Sequence, residues 1–261
     1  MSDLIRFNDG DVYEQTMGRW STLAGARFLD WLAPPPGAAW LDIGCGTGAF
    51  TRMIAERCAP SALTGIDPSE PQLAYARQAP AQPPIDYRQG DAQALPFPDA
   101  GFDQAVMALV IFFVPDPAKG VAEMARVLRP GGTASAYAWD TVAYGSPTAP
   151  IQRALEACGH TPPAPPSAAA SGTAEMRALW SRAGFTAVET QVIDIEMRFE
   201  TFAPFWAMMR RMQRVNTLLD RLGADQVEAV RNALRRQVAP DEHTPFTTTA
   251  RANAVRGHLP A

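Results

Sequence analysis

Apolar and polar positions along this chain change their period several times. Over residues 12–33, Leu23, Phe28, Leu29, Trp31 and Leu32 recur with the irregular spacing of one helix face. The run Pro34, Pro35, Pro36, Gly37 stops that element. Short apolar stretches then alternate with amphipathic ones. Residues 40–43, 62–67, 85–89, 102–108 and 133–138 read as strands, and residues 50–59 and 118–128 as helices, the second ended by "RPGG". Ser69 stands where it can cap a further helix, with Glu70 and Pro71 in the first turn. Such alternation predicts a parallel sheet with helices on both faces.

The pattern then changes. Residues 159–172 are rich in Pro and Ala and read as a surface loop. A helix is expected over 173–183, a long strand over 187–198, and mostly helix over 201–238, where Phe202, Phe205, Met209 and Met212 recur at helical spacing. Residues 245–257 read as a final strand, which brings the strand segments to seven. The helical stretch between the last two strands reads as an insertion over the edge of the sheet.

Composition narrows the class. The chain has 261 residues, 47% apolar and 19% charged, enough for one large domain or one domain carrying an insertion. Its start is acidic and polar, unlike a secretory leader, and no apolar run reaches membrane-spanning length. Cys45, Cys58 and Cys158 lie far apart, without metal-type spacing. The expectation is a cytoplasmic protein without a disulfide framework or a metal. A net charge of −4 disfavours nucleic acid as a partner.

The stretch "WLDIGCGTGAF", residues 40–50, carries the most chemistry. Glycines let a turn approach a ligand closely, and the following helix aims free N–H groups at it. Asp67 ends the next strand, about twenty residues on, where a carboxylate accepts from ribose hydroxyls. Two ligands fit the spacing: Gly44, Gly46 and Gly48 suit one cofactor, while Gly44, Gly46 and Ala49 suit a dinucleotide. Asp42 leans against a pyrophosphate and suits a cationic cofactor end; it also fits a simple cap of the turn.

"LDIGCGTGAFT", "TGIDPSE", "QGDAQALPFPDAGFD" and "EMARVLRPGGTASAYAWD" follow one another as in class I S-adenosylmethionine-dependent methyltransferases. The chain resembles their small-molecule branch, which includes ubiquinone and menaquinone C-methyltransferases, well over residues 10–140 and in outline beyond. The resemblance implies a doubly wound, seven-stranded, mostly parallel Rossmann-like sheet with the last strand antiparallel and a helical cap. It implies one methyltransferase domain over 1–261, with N-terminal lid helices over 1–35, a cofactor-binding core over 38–140, and an insertion over 200–240 that caps the acceptor site. The cofactor would be S-adenosylmethionine. Gly44, Gly46 and Gly48 would form the turn under its methionine and ribose. Asp67 would hold the ribose, and Asp91 and the Ala92 N–H the adenine. Met107 to Leu109 would line the sulfur. Tyr13 would lie against the cofactor, and Arg19 would pair with its carboxylate. Asp91 also reads as a turn former, and Arg19 as a surface residue.

Methyl transfer from a sulfonium is an in-line displacement that needs positioning and water exclusion. Relatives often carry "HH" after the fourth strand; here Phe112 and Phe113 stand there. The three histidines, His160, His243 and His258, offer no obvious base. Acceptor-pocket candidates are Met17, Phe112, Trp139, Asp140, Tyr144, Phe205, Trp206, Met209 and Met212, each with ordinary packing as its alternative. An aromatic and Met-lined pocket prefers a small apolar or aromatic acceptor. The arginines of the insertion, Arg210, Arg211, Arg214, Arg221, Arg231, Arg235 and Arg236, read as a solvated face or as a site for an anionic acceptor. A nicotinamide-dependent oxidoreductase and a non-catalytic S-adenosylmethionine-binding protein are the rival readings. Neither the acceptor, the methylated atom nor the oligomeric state is encoded legibly.

Overall fold

A computed structural model describes residues 17–162 and 164–261. The first element among the described residues, α1 (Arg19–Leu32), buries Trp20, Ala24, Phe28, Leu29 and Leu32 along one side. It stops where Ala33 turns left-handed before the prolines. There follow β1 (Ala39–Ile43), α2 (Ala49–Cys58), β2 (Ala62–Asp67), α3 (Glu70–Ala76), β3 (Ile85–Gln89), β4 (Phe102–Ala108), α4 (Pro117–Val127) and β5 (Leu128–Trp139). The remainder comprises α5 (Ala149–Ala157), α6 (Thr173–Arg182), β6 (Thr186–Phe199), α7 (Phe202–Arg211), α8 (Gln213–Leu219), α9 (Ala224–Val238) and β7 (Phe246–His258).

The seven strands form one sheet in the order β3-β2-β1-β4-β5-β7-β6. β1 through β5 pair in parallel, and β7 runs antiparallel to both neighbours. This is the doubly wound architecture that the alternating pattern predicts. The strand order reverses between β1 and β4, so the carboxyl ends of those strands open a crevice where such sheets take ligands.

The expected boundaries shift where glycine and proline are absorbed rather than obeyed. Helix α4 ends at Val127, one residue before its expected end, but "RPGG" opens no loop. Arg129 to Gly132 fall inside β5, whose pairing with β4 slips between Phe102 and Gln104, and Gly131 takes φ +80°. Helix α5 falls in a segment with no expected element. Its apolar residues Ile151, Ala154 and Leu155 face neighbouring helices instead of the sheet.

Two apolar clusters result. The larger fills both faces of the sheet, including Trp40, Leu41, Ile43, Val106, Tyr137 and Trp180. The smaller belongs to α5 and α7–α9, with Phe202, Phe205, Met209, Val230 and Leu234 at its centre. β6 and β7 continue as a hairpin past the last β5 pair, Trp139 with Ala252, as far as Phe199 with Phe246, and this overhang carries the helices. Met17 and Phe199 pack against both clusters.

Candidate cofactor site

β1 delivers the chain to a turn between the ends of β2 and β4. The N–H groups of Gly44 and Cys45 both donate to the Ile66 carbonyl, at 2.7 and 3.0 Å, which binds the start of the turn to β2. Gly44 and Gly48 each take φ +76°. A Cβ on Gly44 would stand 2.5 Å from the Val110 side chain, and one on Gly48 would collide with the Tyr87 hydroxyl. Both positions therefore demand glycine on two counts, conformation and space.

Asp67 braces this turn. Its Oδ2 accepts from the Gly46 N–H at 3.0 Å and its Oδ1 from the Ser69 N–H at 2.8 Å. Ser69 thus enters through its backbone, and its side chain makes no cap bond to α3. Burial pushes the Asp67 carboxyl upward, opposed by the two N–H donors. An ionised carboxylate has about four acceptor positions, so two remain for a ligand's hydroxyls.

Asp42 is fully buried on β1. Thr51 Oγ1 donates to its Oδ2 at 2.7 Å, while its Oδ1 has no partner. Burial pushes its carboxyl up to about 7, with the Thr51 hydrogen bond pulling down and the charge of Asp67 adding to the rise. The partner of this carboxylate is thus the Thr51 hydroxyl of α2, in place of the N–H groups of the turn that a cap would hold.

A cavity of about 210 Å³ lies over the turn. Its floor is Asp42, Gly44, Cys45, Gly46 and Thr47. Asp67, Pro68, Ser69 and Gln72 form one end. Ala108, Leu109, Val110 and Phe113 form the wall after β4. Leu109 is held at φ +62°, a conformation that costs a non-glycine residue free energy and recurs at ligand sites. The opposite wall is Ser21 and Thr22 of α1, Phe50 and Met53 of α2, and Tyr137 of β5. The Tyr137 ring packs on Phe28 at 4.7 Å and Phe50 at 5.6 Å. Gly25 lets α1 lie close over them, since a Cβ there would stand 3.0 Å from Phe50 and 3.1 Å from the Tyr137 hydroxyl.

Several expected site residues lie elsewhere. Met107 is buried in the main core behind the wall that Leu109 presents. Phe112 also points into the core, and its neighbour Phe113, at 4.4 Å between ring centres, takes the cavity position. Asp91 is exposed and accepts from the Gln93 N–H at 2.9 Å, closing a tight turn with half-buried Ala92. Gly90 N–H donates to the Asp67 carbonyl, so that turn is a direct neighbour of the cavity's Asp67 end without lining it. Arg19 is exposed at the first residue of α1, and Tyr13 lies outside the described residues.

The acceptor candidates divide in the same way. Trp139 is buried in the main core; Phe205, Met209 and Met212 are buried in the smaller cluster, and Trp206 packs against it half-buried. These side chains pack the helices together and do not line the cavity. Tyr144 is exposed, donates to Glu156 at 2.9 Å and carries Arg153 over its ring. Asp140 accepts from the Ala143 N–H within its own loop. Met17 alone of these stands between the two clusters. None of the three histidines lines the cavity. Arg231 and Arg235 are committed to Glu242, at 2.7 and 3.6 Å, fastening the chain after α9, while Arg210, Arg211, Arg221 and Arg236 are exposed.

Ser21, Thr22, Phe50, Met53, Phe113 and Tyr137 are among the cavity residues that sequence reasoning missed. Phe50 and Met53 had a signal, being one and four residues after Ala49 on the helix that leaves the turn. Tyr137 had none, because an aromatic inside a strand reads as core.

Residues 41–136 match the family described as a methyltransferase domain. Among curated proteins, 2-methyl-6-phytyl-1,4-hydroquinone methyltransferase 2 of Oryza sativa subsp. japonica is 44% identical over 94 residues, covering 36% of this chain and 27% of that one. The chain spans between 27% and 51% of the length of the first curated relatives it matches. Among solved structures, Haemonchus contortus phosphoethanolamine N-methyltransferase 2, bound to phosphomonomethylethanolamine and S-adenosylhomocysteine, superposes with TM-score 0.57 at 18% identity, over 96% of this chain and 56% of that one. The [4+2]-cyclase SpnF superposes with TM-score 0.55 at 21% identity, over 98% of this chain and 85% of that one. The architecture is the Rossmann-like methyltransferase fold, and its glycine-turn half is the part that matches methyltransferase domains in sequence.

Proposed function

We propose that the chain is an S-adenosylmethionine-dependent methyltransferase that methylates a small, apolar or aromatic acceptor by in-line displacement. One observation carries this reading: a single cavity presents a glycine turn, a strand-end carboxylate with acceptor capacity to spare, and a second, buried carboxylate with an unpartnered oxygen. The donor set fits the cofactor. Asp67 suits a ribose, and Asp42 suits an ammonium, since a buried, unpaired carboxylate oxygen is costly until a cationic donor reaches it. Asp42, at the turn where a dinucleotide would lay its pyrophosphate, offers an anion no partner, which disfavours the nicotinamide reading.

S-adenosylmethionine, when bound, supplies an activated methyl group on a sulfonium. The protein's part is then positional. Asp67 and the turn fix the nucleoside, Leu109 and Phe113 wall the β4 side, and α1 covers the opposite side with Ser21 and Thr22. Orientation and water exclusion of this kind supply roughly 7–11 kcal/mol of a barrier. Since no histidine lines the cavity among the described residues, acceptors that react without enzyme-assisted deprotonation fit best. Met17 and Phe199 mark the seam where an apolar acceptor would enter between sheet and cap. The hydroquinone named for the rice relative shares the apolar, aromatic character of such an acceptor, although it must shed a proton on methylation.

The test is product formation: with S-adenosylmethionine and a panel of hydroquinones, phenols and amines, S-adenosylhomocysteine should accumulate with one class. A second reading, cofactor binding without methyl transfer, draws on the same fold serving a cyclase. Tight S-adenosylhomocysteine binding with no turnover of any acceptor would favour it. Thermal stabilisation by NAD in place of S-adenosylmethionine would favour the oxidoreductase.

A further inference from the structure

Asp42 combines three features in one place. It is completely buried, it lines the cavity, and its two oxygens are unlike: Oδ2 holds the Thr51 hydroxyl and Oδ1 holds nothing. A carboxylate left in this state bears an uncompensated charge, whereas the neutral acid does not. We propose that Asp42 is a proton-exchanging subsite: it stays neutral in the empty cavity and gives up its proton to solvent when a cationic amino-acid end docks at Oδ1. The exchange balances, since the neutral acid loses one H⁺ to the buffer and the resulting carboxylate is neutralised by the ligand's ammonium. This rests on reading the cavity as the cofactor site.

The groups around Asp42 leave the exchange to Asp42 itself. From β2, Asp67 adds negative charge and favours the neutral acid. In the turn, burial pushes the Cys45 thiol up, so it stays uncharged. From β3, the Tyr87 hydroxyl is pushed up to about 12. From α2, Arg52 donates to the Thr47 carbonyl, and from α3, Arg77 is engaged with Glu70 and the Tyr87 carbonyl. The β4 partner is Val106, which is apolar, and α1 brings the uncharged Ser21 and Thr22. The carboxyl of Asp42, pushed up to about 7, is thus the group that changes charge near neutrality.

Calorimetric titration with S-adenosylhomocysteine, in pairs of buffers of unlike ionisation enthalpy, counts the protons exchanged. With a midpoint of about 7, binding should release about 0.9 proton at pH 6 and about 0.1 at pH 8, with affinity about tenfold weaker at pH 6. Asp42→Asn should abolish both the release and the pH dependence. Thr51→Val removes the hydrogen bond that holds the carboxyl down, so it should move the transition to higher pH; this arm keeps the test open should Asp42→Asn fail to fold. Binding at pH 6 with no release and with the same affinity as at pH 8 would overturn the inference alone, as would release that persists in Asp42→Asn. An absence of binding at both pH values would overturn the cofactor-site reading and this inference together.

Discussion

The parallel half of the sheet and the helices after β6 solve the same burial problem in different ways. β1, β4 from Gln104 to Met107 and β5 after Gly131 are buried between covering layers, and the polar groups of the site gather toward the carboxyl ends of the strands. There the backbone is committed: two glycines at φ +76°, Leu109 at φ +62°, and Asp67 holding two N–H groups. The helices α5 and α7–α9 instead build a private core of Phe, Met, Val and Leu, joined to the rest through the β6–β7 overhang and the contacts of Met17 and Phe199. One half is specified by conformation and the other by volume, so the two halves should fail differently when mutated.

The largest effect is expected in the cap. Phe205→Ala removes a ring that is fully buried and stacked edge-on against Phe199 and Phe246. It should cost about 3–5 kcal/mol in chemical denaturation. S-adenosylhomocysteine affinity should stay within about twofold, because the site is separate. A large loss of affinity would mean that the two cores act as one.

Asp67→Ala attacks the other half. It removes an acceptor of two backbone N–H groups and of the proposed ribose contacts, so calorimetry should find cofactor affinity about a hundredfold weaker. Cooperative unfolding should survive. Unaltered binding would remove Asp67 from the site.

Gly48→Ala should destabilise by about 1–3 kcal/mol, from the left-handed backbone and the collision with the Tyr87 hydroxyl. The double variant with Tyr87→Phe should recover part of the melting-temperature loss. Absence of any recovery would leave backbone strain as the whole cause.

The smallest effect is a pH dependence of the ligand-free protein. Asp42 has its folded value raised from 3.8 to about 7, so its contribution is fully present below 3.8 and is lost as pH rises through 7. Between pH 6 and pH 8 the wild type should lose about 1.4 kcal/mol relative to Asp42→Asn. Parallel curves for the two proteins would contradict the burial of an unpaired carboxylate.

The same division explains what could be read from the sequence. Residues 85–89 and 102–108 come out as strands to the residue, the first as an alternating, half-exposed edge strand and the second as a largely buried run with clear ends. The glycine turn and Asp67 are legible because few residue types tolerate those backbone and contact demands. The cap is not legible in the same way. Phe205 and Met209 have the same helical spacing whether they face a ligand or one another, and the packing of α5, α8 and α9 around them, which lies far along the chain, decides it. Phe112 and Phe113 are chemically identical, and the short turn after β4 chooses between them. Tyr137 and Thr22 reach the cavity because Gly25 brings α1 down onto α2 and β5, a long-range approach with no local mark.

A crystal structure of the protein with S-adenosylhomocysteine bears most directly on the central claim. The ribose hydroxyls should lie within hydrogen-bond distance of Asp67, and the amino-acid end should reach Asp42 beneath the Gly44–Gly48 turn. A nucleoside bound elsewhere, or an Asp67 carboxylate turned away from the sugar, would contradict it.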